Sequence, residues 1–514
     1  MKHKLMKLIS LILIAAMLWQ DMCWAHPGEF QHLRPVALGE RMDGKSQFTH
    51  IPIGRAIWKI FLPAILDQVL FSALVILEMK IVGLLDVAAI NCLIISRTIF
   101  GFAFTPIQGI VAATSSLVSQ ARGAQDKDGA TKTTFNSLAA SAVSSILFAV
   151  FFFIFAPWLL SAFGAEPETI SLGVPYLRVF TLAYIGMSIV WILRSVFTNA
   201  GEVYKSFFIA LATALASAAL LLILPLGWGQ ISALGLEGTG WAQAAGRAAG
   251  VVLGFAFLLF VPSRFIKLSR ENVKPSFTEI KKEIWGLGKY QFLQGAFEMG
   301  YGIFALFIIS YFFGPKAIAA AGIIGTIWWL LAVPLVGLGA AVGTLVGINL
   351  GARKVERAEE AVKKASFYGR VIGWSLAAVL FTFAPEAIGF FTTDQEVIDI
   401  AAPLLRISTL TYSANMVSNI LQNALIRGKD TKSPFIRSAI VIGGMVVFLL
   451  LATFVFHVSL TTLWVIMSLG AFAGLLVLKW RFKRGVWKNN SKPPTKRIRT
   501  ILDTIFPGAE LAQI

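Results

Sequence analysis

The sequence predicts an all-α polytopic membrane protein, a class indicated by its composition and by the length and character of its apolar stretches. Of the 514 residues, 57% are hydrophobic and only 14% are charged, whereas soluble domains average about 45–50% and 25%. Apolar stretches of about 20 residues, long enough to cross a bilayer, recur along the chain. Backbone polar groups in lipid must be hydrogen-bonded within their own segment, and these stretches lack the alternation of β-barrel strands, so helices are expected.

Twelve spans account for the apolar stretches. We place them near residues 57–79, 87–119, 135–157, 174–199, 206–227, 238–261, 285–311, 317–349, 366–384, 402–424, 435–457 and 461–480. The connections after the even-numbered spans are rich in Lys and Arg, and the remaining connections hold few. By the positive-inside rule, this asymmetry predicts a multi-pass protein with both termini in the cytoplasm. The net charge of +18 follows from these loops and the tail, so no nucleic-acid partner is expected.

The first residues conflict with this topology. Three lysines precede an apolar run, Leu8–Trp19, and Cys23-Trp24-Ala25 resembles a cleavage site, which together are typical of a secretory signal peptide. Translocation of residues 26–55 would invert every later span, against the loop charges. We therefore favour an interfacial segment or a misassigned start, with Met42 as the true initiator.

The chain contains an internal repeat. Residues 106–130 align without a gap on residues 334–358, an offset of 228 positions. The same offset relates Tyr184 to Tyr412, Arg178 to Arg406, and Ala156-Pro157 to Ala384-Pro385. One register maintained over about eighty residues indicates a duplication.

The repeat has a consequence for architecture. Each half has six spans, an even number, so both halves enter the membrane in the same orientation, and parallel repeats of this kind enclose a cavity between two bundles. The predicted domains are an N-terminal extension (1–55), a six-helix lobe (56–262), a cytoplasmic linker (263–284), a second six-helix lobe (285–481) and a basic cytoplasmic tail (482–514).

Several motifs resemble one transporter family. The segment Ala424-Leu425-Ile426-Arg427-Gly428-Lys429-Asp430-Thr431-Lys432-Ser433-Pro434 resembles the Leu-Arg-Gly…Asp-Thr-Lys-x-Pro signature of the multidrug and toxic compound extrusion (MATE) family. Its counterpart in the first half, Asn199–Ser206, is a degraded copy that lacks the arginine. Gly123-Ala124-Gln125-Asp126 and Gly351-Ala352-Arg353-Lys354 resemble the turns of the family after its second and eighth helices. The likeness extends from about residue 61 to residue 487.

The resemblance implies a V-shaped fold of two six-helix bundles, of the bacterial type within the multidrug/oligosaccharidyl-lipid/polysaccharide flippase superfamily. It further implies export of amphipathic, often cationic, organic compounds in exchange for H⁺ or Na⁺. We expect small-molecule substrates and membrane lipid as partners, a monomer, no cofactor and no assigned metal site.

Three carboxylates are candidates for the ion-coupling and substrate site, because ionisable residues inside a membrane are costly and mark function. Glu298 is placed halfway along span seven, where many members of the resembled family have a glutamate; the alternative is an interfacial pair with Lys289 or another base. Glu78 is fifteen positions after Pro63, where the family usually has an aspartate; the alternative is a local pair with Lys80. For Asp67, we favour a polar contact near the cytoplasmic end.

Four other polar residues are possible cavity partners. Arg97 and Arg194 can neutralise Glu78 or Asp67, or they can bind an anionic substrate. The alternative is that each side chain snorkels to an interface. This alternative is favoured more for Arg194 than for Arg97. Members of the resembled family with the span-seven glutamate often have an aspartate on span ten, where this chain offers Asn415 and Asn419. The missing acid disfavours a complete Na⁺ site and favours a proton-coupled or altered one.

Other function classes fit less well. A flippase for a lipid-linked saccharide or peptidoglycan precursor would favour a cationic cavity, which Arg97, Arg194 and Arg247 can supply, but such proteins often have fourteen spans. A membrane-embedded enzyme needs converging catalytic side chains, whereas four of the five histidines precede span one. Cys23 and Cys92 are too far apart in sequence to indicate a disulfide framework or a metal site. A non-transporting membrane protein would leave Glu298 dispensable.

Overall fold

The computed structural model describes residues 47–85, 87–228, 232–261, 263, 265–266 and 274–489. The signal-like segment, Met42 and the tail beyond Asn489 lie outside the described residues, so the predictions for them stay predictions. The described chain is almost entirely helical, as the composition predicts.

The first lobe consists of six long helices. In chain order they are α1 (Ile53–Val82), α2 (Val87–Ala124), α3 (Lys127–Ala162), α4 (Pro167–Asn199), α5 (Val203–Ile223) and α6 (Gly235–Leu259). Most begin or end several residues beyond the predicted span, because the helices continue past the apolar stretch into the loops. Asp126, for example, caps α3 by accepting a hydrogen bond of 2.8 Å from the amide of Gly129.

The second lobe repeats this order. Residues Gly286–Gly351 form one long helical segment that bends at Gly314, whose φ of 76° divides it into α7 (286–313) and α8 (315–351). The following spans are α9 (Val355–Thr382), α10, α11 (Lys432–Leu450) and α12 (Leu460–Lys483). Span α10 consists of two helices, α10a (Gln395–Leu410) and α10b (Tyr412–Arg427), which meet at Thr411. A π-helical turn, Leu451–Val455, extends α11.

Ten helices of the described chain are long and apolar enough to cross a bilayer. One of them, Phe277–Gly351, has 75 residues and includes both α7 and α8. The two halves of α10 have 16 residues each and together provide one further span. The described chain therefore has the twelve predicted spans.

The repeat holds at the level of single hydrogen bonds. The Tyr184 hydroxyl donates to the carbonyl of Ala103 at 2.6 Å, and the Tyr412 hydroxyl donates to the carbonyl of Leu331, with each pair separated by the same 228 positions. The bounds of α4, shifted by 228, coincide with the outer bounds of α10. The duplication predicted from sequence is therefore a duplication of structure, and the break at Thr411 is a difference between the two copies.

The two lobes meet at the end of the molecule that contains Arg122 and Lys127 of the first lobe and Arg353 and Lys354 of the second. We call it the basic end. Three hydrogen bonds between described helices cross the boundary there. Gln120 donates to the carbonyl of Arg427 at 2.7 Å, and the other two link equivalent positions of the repeat. Ser116 donates to the carbonyl of Arg427 at 3.3 Å, and Thr344 donates to Oδ1 of Asn199 at 3.2 Å.

Away from the basic end, the backbones of α7 and α8 are less covered. A side chain added at Gly300, Gly322 or Gly325 would meet no atom within 4 Å. The contact between α2 and α7 extends from the basic end as far as Gly101, which lies against Met299.

The segment before α1 is attached to both lobes at the basic end. Phe48 is 6% exposed, and its ring lies 3.1 Å from the position that a Cβ would occupy on Gly201 of the first lobe. Lys354 donates to the carbonyl of Thr49 at 3.2 Å, and Arg357 donates to the carbonyl of Ile51. Residues 47–52 therefore connect the two lobes.

Candidate functional site

Each of the three predicted carboxylates contacts an arginine in the structure. Asp67 contacts Arg194, Glu78 contacts Arg97, and Glu298 contacts Arg437. The first two pairs lie within the first lobe and the third within the second lobe. The roles of these residues in coupling stay predictions, but their partners are now defined.

Asp67 lies near the middle of α1, fourteen residues after its first residue. The polar contact predicted for Asp67 is formed, at the middle of the helix, and its depth relative to the cytoplasmic interface stays a prediction. Its carboxylate accepts a hydrogen bond from Nη2 of Arg194 on α4, and both side chains are mostly buried, at 17% and 22% exposure. For Arg194, neutralisation of a carboxylate is the prediction that the structure shows, because its guanidinium contacts Asp67 inside the lobe and does not snorkel.

Asp67 and Arg194 line a cavity of about 40 Å³ inside the first lobe. Its walls come from α1, α4, α5 and α6, and they include Thr213 and a second arginine, Arg247. Arg247 is 9% exposed. From the sequence, Arg247 is a candidate only for the flippase alternative, because the order of residues along the chain does not show that α6 faces the middle of α1.

Glu78 lies near the far end of α1 and is 4% exposed. Its Oε2 accepts a hydrogen bond of 2.8 Å from Nη2 of Arg97 on α2. The local pair with Lys80 that was the alternative is not formed, since Lys80 is exposed on the outer side of α1. Of the two predictions for Arg97, neutralisation of a carboxylate is the one that the structure shows.

Glu298 lies near the middle of α7, as predicted. Its Oε1 accepts hydrogen bonds from Ser438 at 2.8 Å and from Nε2 of Gln294 at 3.0 Å, and it contacts Nη1 of Arg437 at 3.4 Å. Gln291 in turn donates to Gln294 at 2.9 Å. The carboxyl group is thus held between α7 and α11, and its side chain remains 45% exposed.

Arg437 is the residue that sequence reasoning missed. It lies six residues into α11, where a basic side chain is easily interpreted as interfacial. In the structure it turns inward, and its guanidinium lies 2.7 Å from the position that a Cβ would occupy on Gly474 of α12. The available signal was Glu298 itself, because a carboxylate in mid-membrane needs a partner and α11 contains one basic residue beyond its first turn.

Asn415 and Asn419 are on α10b and make no hydrogen bond to the three carboxylates within the described residues. Asn415 donates to Oγ1 of Thr411 at 3.3 Å, at the break in α10. Asn419 accepts from Asn423 at 3.1 Å and packs against Gly339 of α8. Their contacts are therefore within α10 and with α8, and a role as cavity partners stays a prediction.

The site as a whole consists of separate ion pairs and not of one cluster. No group of three or more His, Cys, Asp or Glu side chains among the described residues is arranged to hold a metal ion. An arginine-paired carboxylate inside a membrane protein can still change its charge by taking a proton, and it then releases its partner. Chemically, each of the three pairs offers a carboxylate that can take up or release a proton.

Comparison with known families identifies the chain. The MatE family model matches residues 63–226 and again residues 292–451, one match for each lobe. The chain belongs to the MatE family. The two matched segments follow the internal repeat and leave the termini and the region between the lobes outside.

The proteins similar to this MatE chain include two bacterial proteins named for multidrug resistance. It is 23% identical over 443 residues to the probable multidrug resistance protein YoeA of Bacillus subtilis, covering 85% of this chain and 94% of that protein. It is 27% identical over 394 residues to the probable multidrug resistance protein NorM of Pseudomonas aeruginosa, covering 74% and 79%.

Solved structures agree on the fold. A MOP superfamily transporter from Pyrococcus furiosus, whose binding pocket has reverse polarity, superposes with a TM-score of 0.80 at 18% identity and covers 88% of this MatE chain. An outward-facing multidrug resistance MATE transporter also gives 0.80 at 18% identity, again covering 88% of this chain and all of the other. The resemblance to the MATE family found in the sequence is thus confirmed, and the protein is a multi-pass membrane transporter of that family.

Proposed function

We propose that the chain exports amphipathic organic compounds across the bacterial inner membrane in exchange for protons, by alternating access of a cavity between its two lobes. The observation that carries this proposal is the environment of Glu298. It combines a position near the middle of α7, a half-exposed carboxyl group and contacts to a second helix. When Glu298 takes a proton, its attraction to Arg437 is lost, and the contact between α7 and α11 weakens. Proton binding is then coupled to helix movement.

The groups around Glu298 favour a proton over Na⁺. Its three neighbours, Gln294, Ser438 and Arg437, all approach Oε1 as hydrogen-bond donors. A sodium ion needs several oxygen acceptors and would be repelled by the guanidinium. A proton needs only the carboxylate. Na⁺ coupling remains the alternative that the experiment below tests.

The conformation supports alternating access. If the basic end is cytoplasmic, as the positive-inside rule predicts, the lobes are in contact on the cytoplasmic side and separated on the other. The structure then represents an outward-facing state, and rocking of the lobes must break the hydrogen bonds from Ser116 to Arg427 and from Thr344 to Asn199. Both termini lie on the cytoplasmic side in this topology.

The names of the relatives support efflux over the flippase and enzyme alternatives. YoeA, NorM and the multidrug export protein MepA of Staphylococcus aureus are all named for multidrug resistance or export. Organic cations are the first substrates to test, because a carboxylate such as Glu298 attracts them and they compete with the proton. We propose that one chain, surrounded by lipid, performs the whole cycle.

The test is uptake of a fluorescent organic cation into inverted membrane vesicles, with a proton or a Na⁺ gradient imposed separately. We expect uptake with the proton gradient in the wild type and strongly reduced uptake in Glu298→Gln. Glu356→Gln serves as the matched control, because Glu356 is exposed in the first turn of α9. Uptake that follows only the Na⁺ gradient would reject proton coupling, and normal transport by Glu298→Gln would reject the assigned residue.

A further inference from the structure

We infer that the cavity inside the first lobe binds the carboxylate of an amphipathic organic anion, with Arg247 as its anchor. This binding site goes beyond the antiport proposed above. It lies within one lobe, involves neither Glu298 nor the boundary between the lobes, and can be tested on protein that is not transporting.

Arg247 is a buried cation that has no partner within the part of the chain that the structure describes. It lies near the middle of α6, and its stem packs against Gly186 of α4, where an added Cβ would lie 2.7 Å from the Cβ of Arg247. Only 9% of the residue is exposed, and it lines the cavity. It forms no hydrogen bond or ion pair with any described residue.

The nearby carboxylates are already paired. Asp67 is bound by Arg194, and Glu78 is bound by Arg97. Two carboxylates against three guanidinium groups leave one positive charge in this part of the lobe, at Arg247. An unpaired charge inside a membrane protein is expensive, and an anion that enters the cavity relieves that cost.

The shape and walls of the cavity define the ligand. A volume of about 40 Å³ is roughly that of three water positions, which is the number of heavy atoms in a carboxylate group. The guanidinium fork binds a carboxylate with two parallel hydrogen bonds. Leu70, Phe71 and Trp191 supply apolar walls, and Phe71 is 42% exposed. The carboxylate therefore lies inside, and the apolar body of the ligand extends along Phe71 toward the opening.

The test measures binding of 2-naphthoate and of its neutral analogue 2-naphthamide to the full-length protein in lipid nanodiscs, by calorimetry at constant chloride. We expect the wild type to bind naphthoate about tenfold or more tightly than naphthamide. Arg247→Gln should lose that preference, and Arg247→Lys should keep part of it. Arg178→Gln is the control, because Arg178 is exposed on α4, and its binding should equal that of the wild type.

A thermal unfolding measurement on the same variants separates binding from a structural role. Because Arg247→Gln removes an unpaired buried charge, its melting temperature should equal or exceed that of the wild type. Equal binding of acid and amide to the wild type, or unchanged naphthoate binding by Arg247→Gln, would overturn the inference. A lowered melting temperature with loss of both ligands would also overturn it. These results leave the transport test at Glu298 unaffected, so the two proposals fail separately.

Discussion

Gly123 of α2 and Gly351 of α8 occupy equivalent positions in the repeat, and each lies against the backbone of the other lobe. A Cβ at Gly123 would lie 2.0 Å from the carbonyl oxygen of Ile348, and a Cβ at Gly351 would lie 2.0 Å from that of Gln120. Neither position has room for a side chain while the lobes are in contact. The two glycines therefore allow the closest approach at the basic end.

A larger residue at Gly123 should separate the lobes at the basic end. We expect Gly123→Leu to shift the population away from the described conformation, because backbone atoms cannot move aside as a flexible side chain can. Spin labels at Lys132 and Lys363, both exposed, one on each lobe, should show a longer distance in a cysteine-free background. Gly286→Leu is the control, since no atom lies within 4 Å of a Cβ there. An unchanged distance in Gly123→Leu would contradict the expectation.

The cavity in the first lobe predicts that loss of Asp67 and loss of Arg194, the two members of one ion pair, destabilise the protein by different amounts. Arg194→Met leaves Asp67 in the same cavity as Arg247, which can take over as its partner. Asp67→Asn leaves two unpaired guanidinium groups. Removing one member of a buried pair typically costs about 3–5 kcal/mol, so we expect Asp67→Asn to reach that range and Arg194→Met to cost clearly less. Thermal unfolding in detergent measures the loss of stability in both variants. Equal losses would show that Arg247 does not pair with Asp67 when Arg194 is absent.

The paired tyrosines predict equal and additive effects. Tyr184→Phe and Tyr412→Phe each remove one hydrogen bond to a helix carbonyl, at a cost of about 1 kcal/mol each. Because the two residues are in different lobes and share no partner, the double variant should show the sum. Tyr204→Phe, at a residue that is 69% exposed, should change nothing. A large excess or shortfall in the double variant would mean that the lobes are coupled through these residues.

The segment before α1 should stabilise the contact at the basic end. Phe48→Ala removes a buried ring that packs on Gly201, and a loss of about 3 kcal/mol in unfolding free energy is expected. Phe277→Ala is a control of the same chemistry at a residue that is 80% exposed. The distribution of distances between spin labels at Lys132 and Lys363 should also broaden in Phe48→Ala. A stable variant with an unchanged distance would show that this segment does not hold the lobes together.

Sequence alone predicted the features that depend on order along the chain. The twelve spans and the duplication follow from apolar length and from one constant offset, and the mid-helix position of Glu298 follows from the span boundaries. The pairings could not be derived in the same way. Arg437 is far from Glu298 in sequence, and their contact depends on how α11 packs against α7. The rotation of each helix about its axis is a tertiary property that composition does not encode.

The partner of Asp67 could not be derived for the same reason, because its contact with Arg194 depends on how α4 packs against α1. Arg194 points into the lobe because of the rotation of α4 about its axis, which directs this side chain toward α1. The break at Thr411 was also missed, because the equivalent helix α4 continues without interruption and the repeat offered no reason to expect a difference.

The repeat also shows what the two halves do not share. The acidic residues of α1 are Asp67 and Glu78, whereas the acidic residue of the equivalent helix α7 is Glu298. Arg247 lies at the middle of α6, whereas the basic residues of the equivalent helix α12 lie near its end, at Lys479, Arg481 and Lys483. After the duplication, each copy thus lost or gained charge independently, and the halves are no longer interchangeable. A chimera with two first halves would contain two arginine-lined cavities and no counterpart of Glu298, so we expect it to lack the proton coupling proposed for that residue.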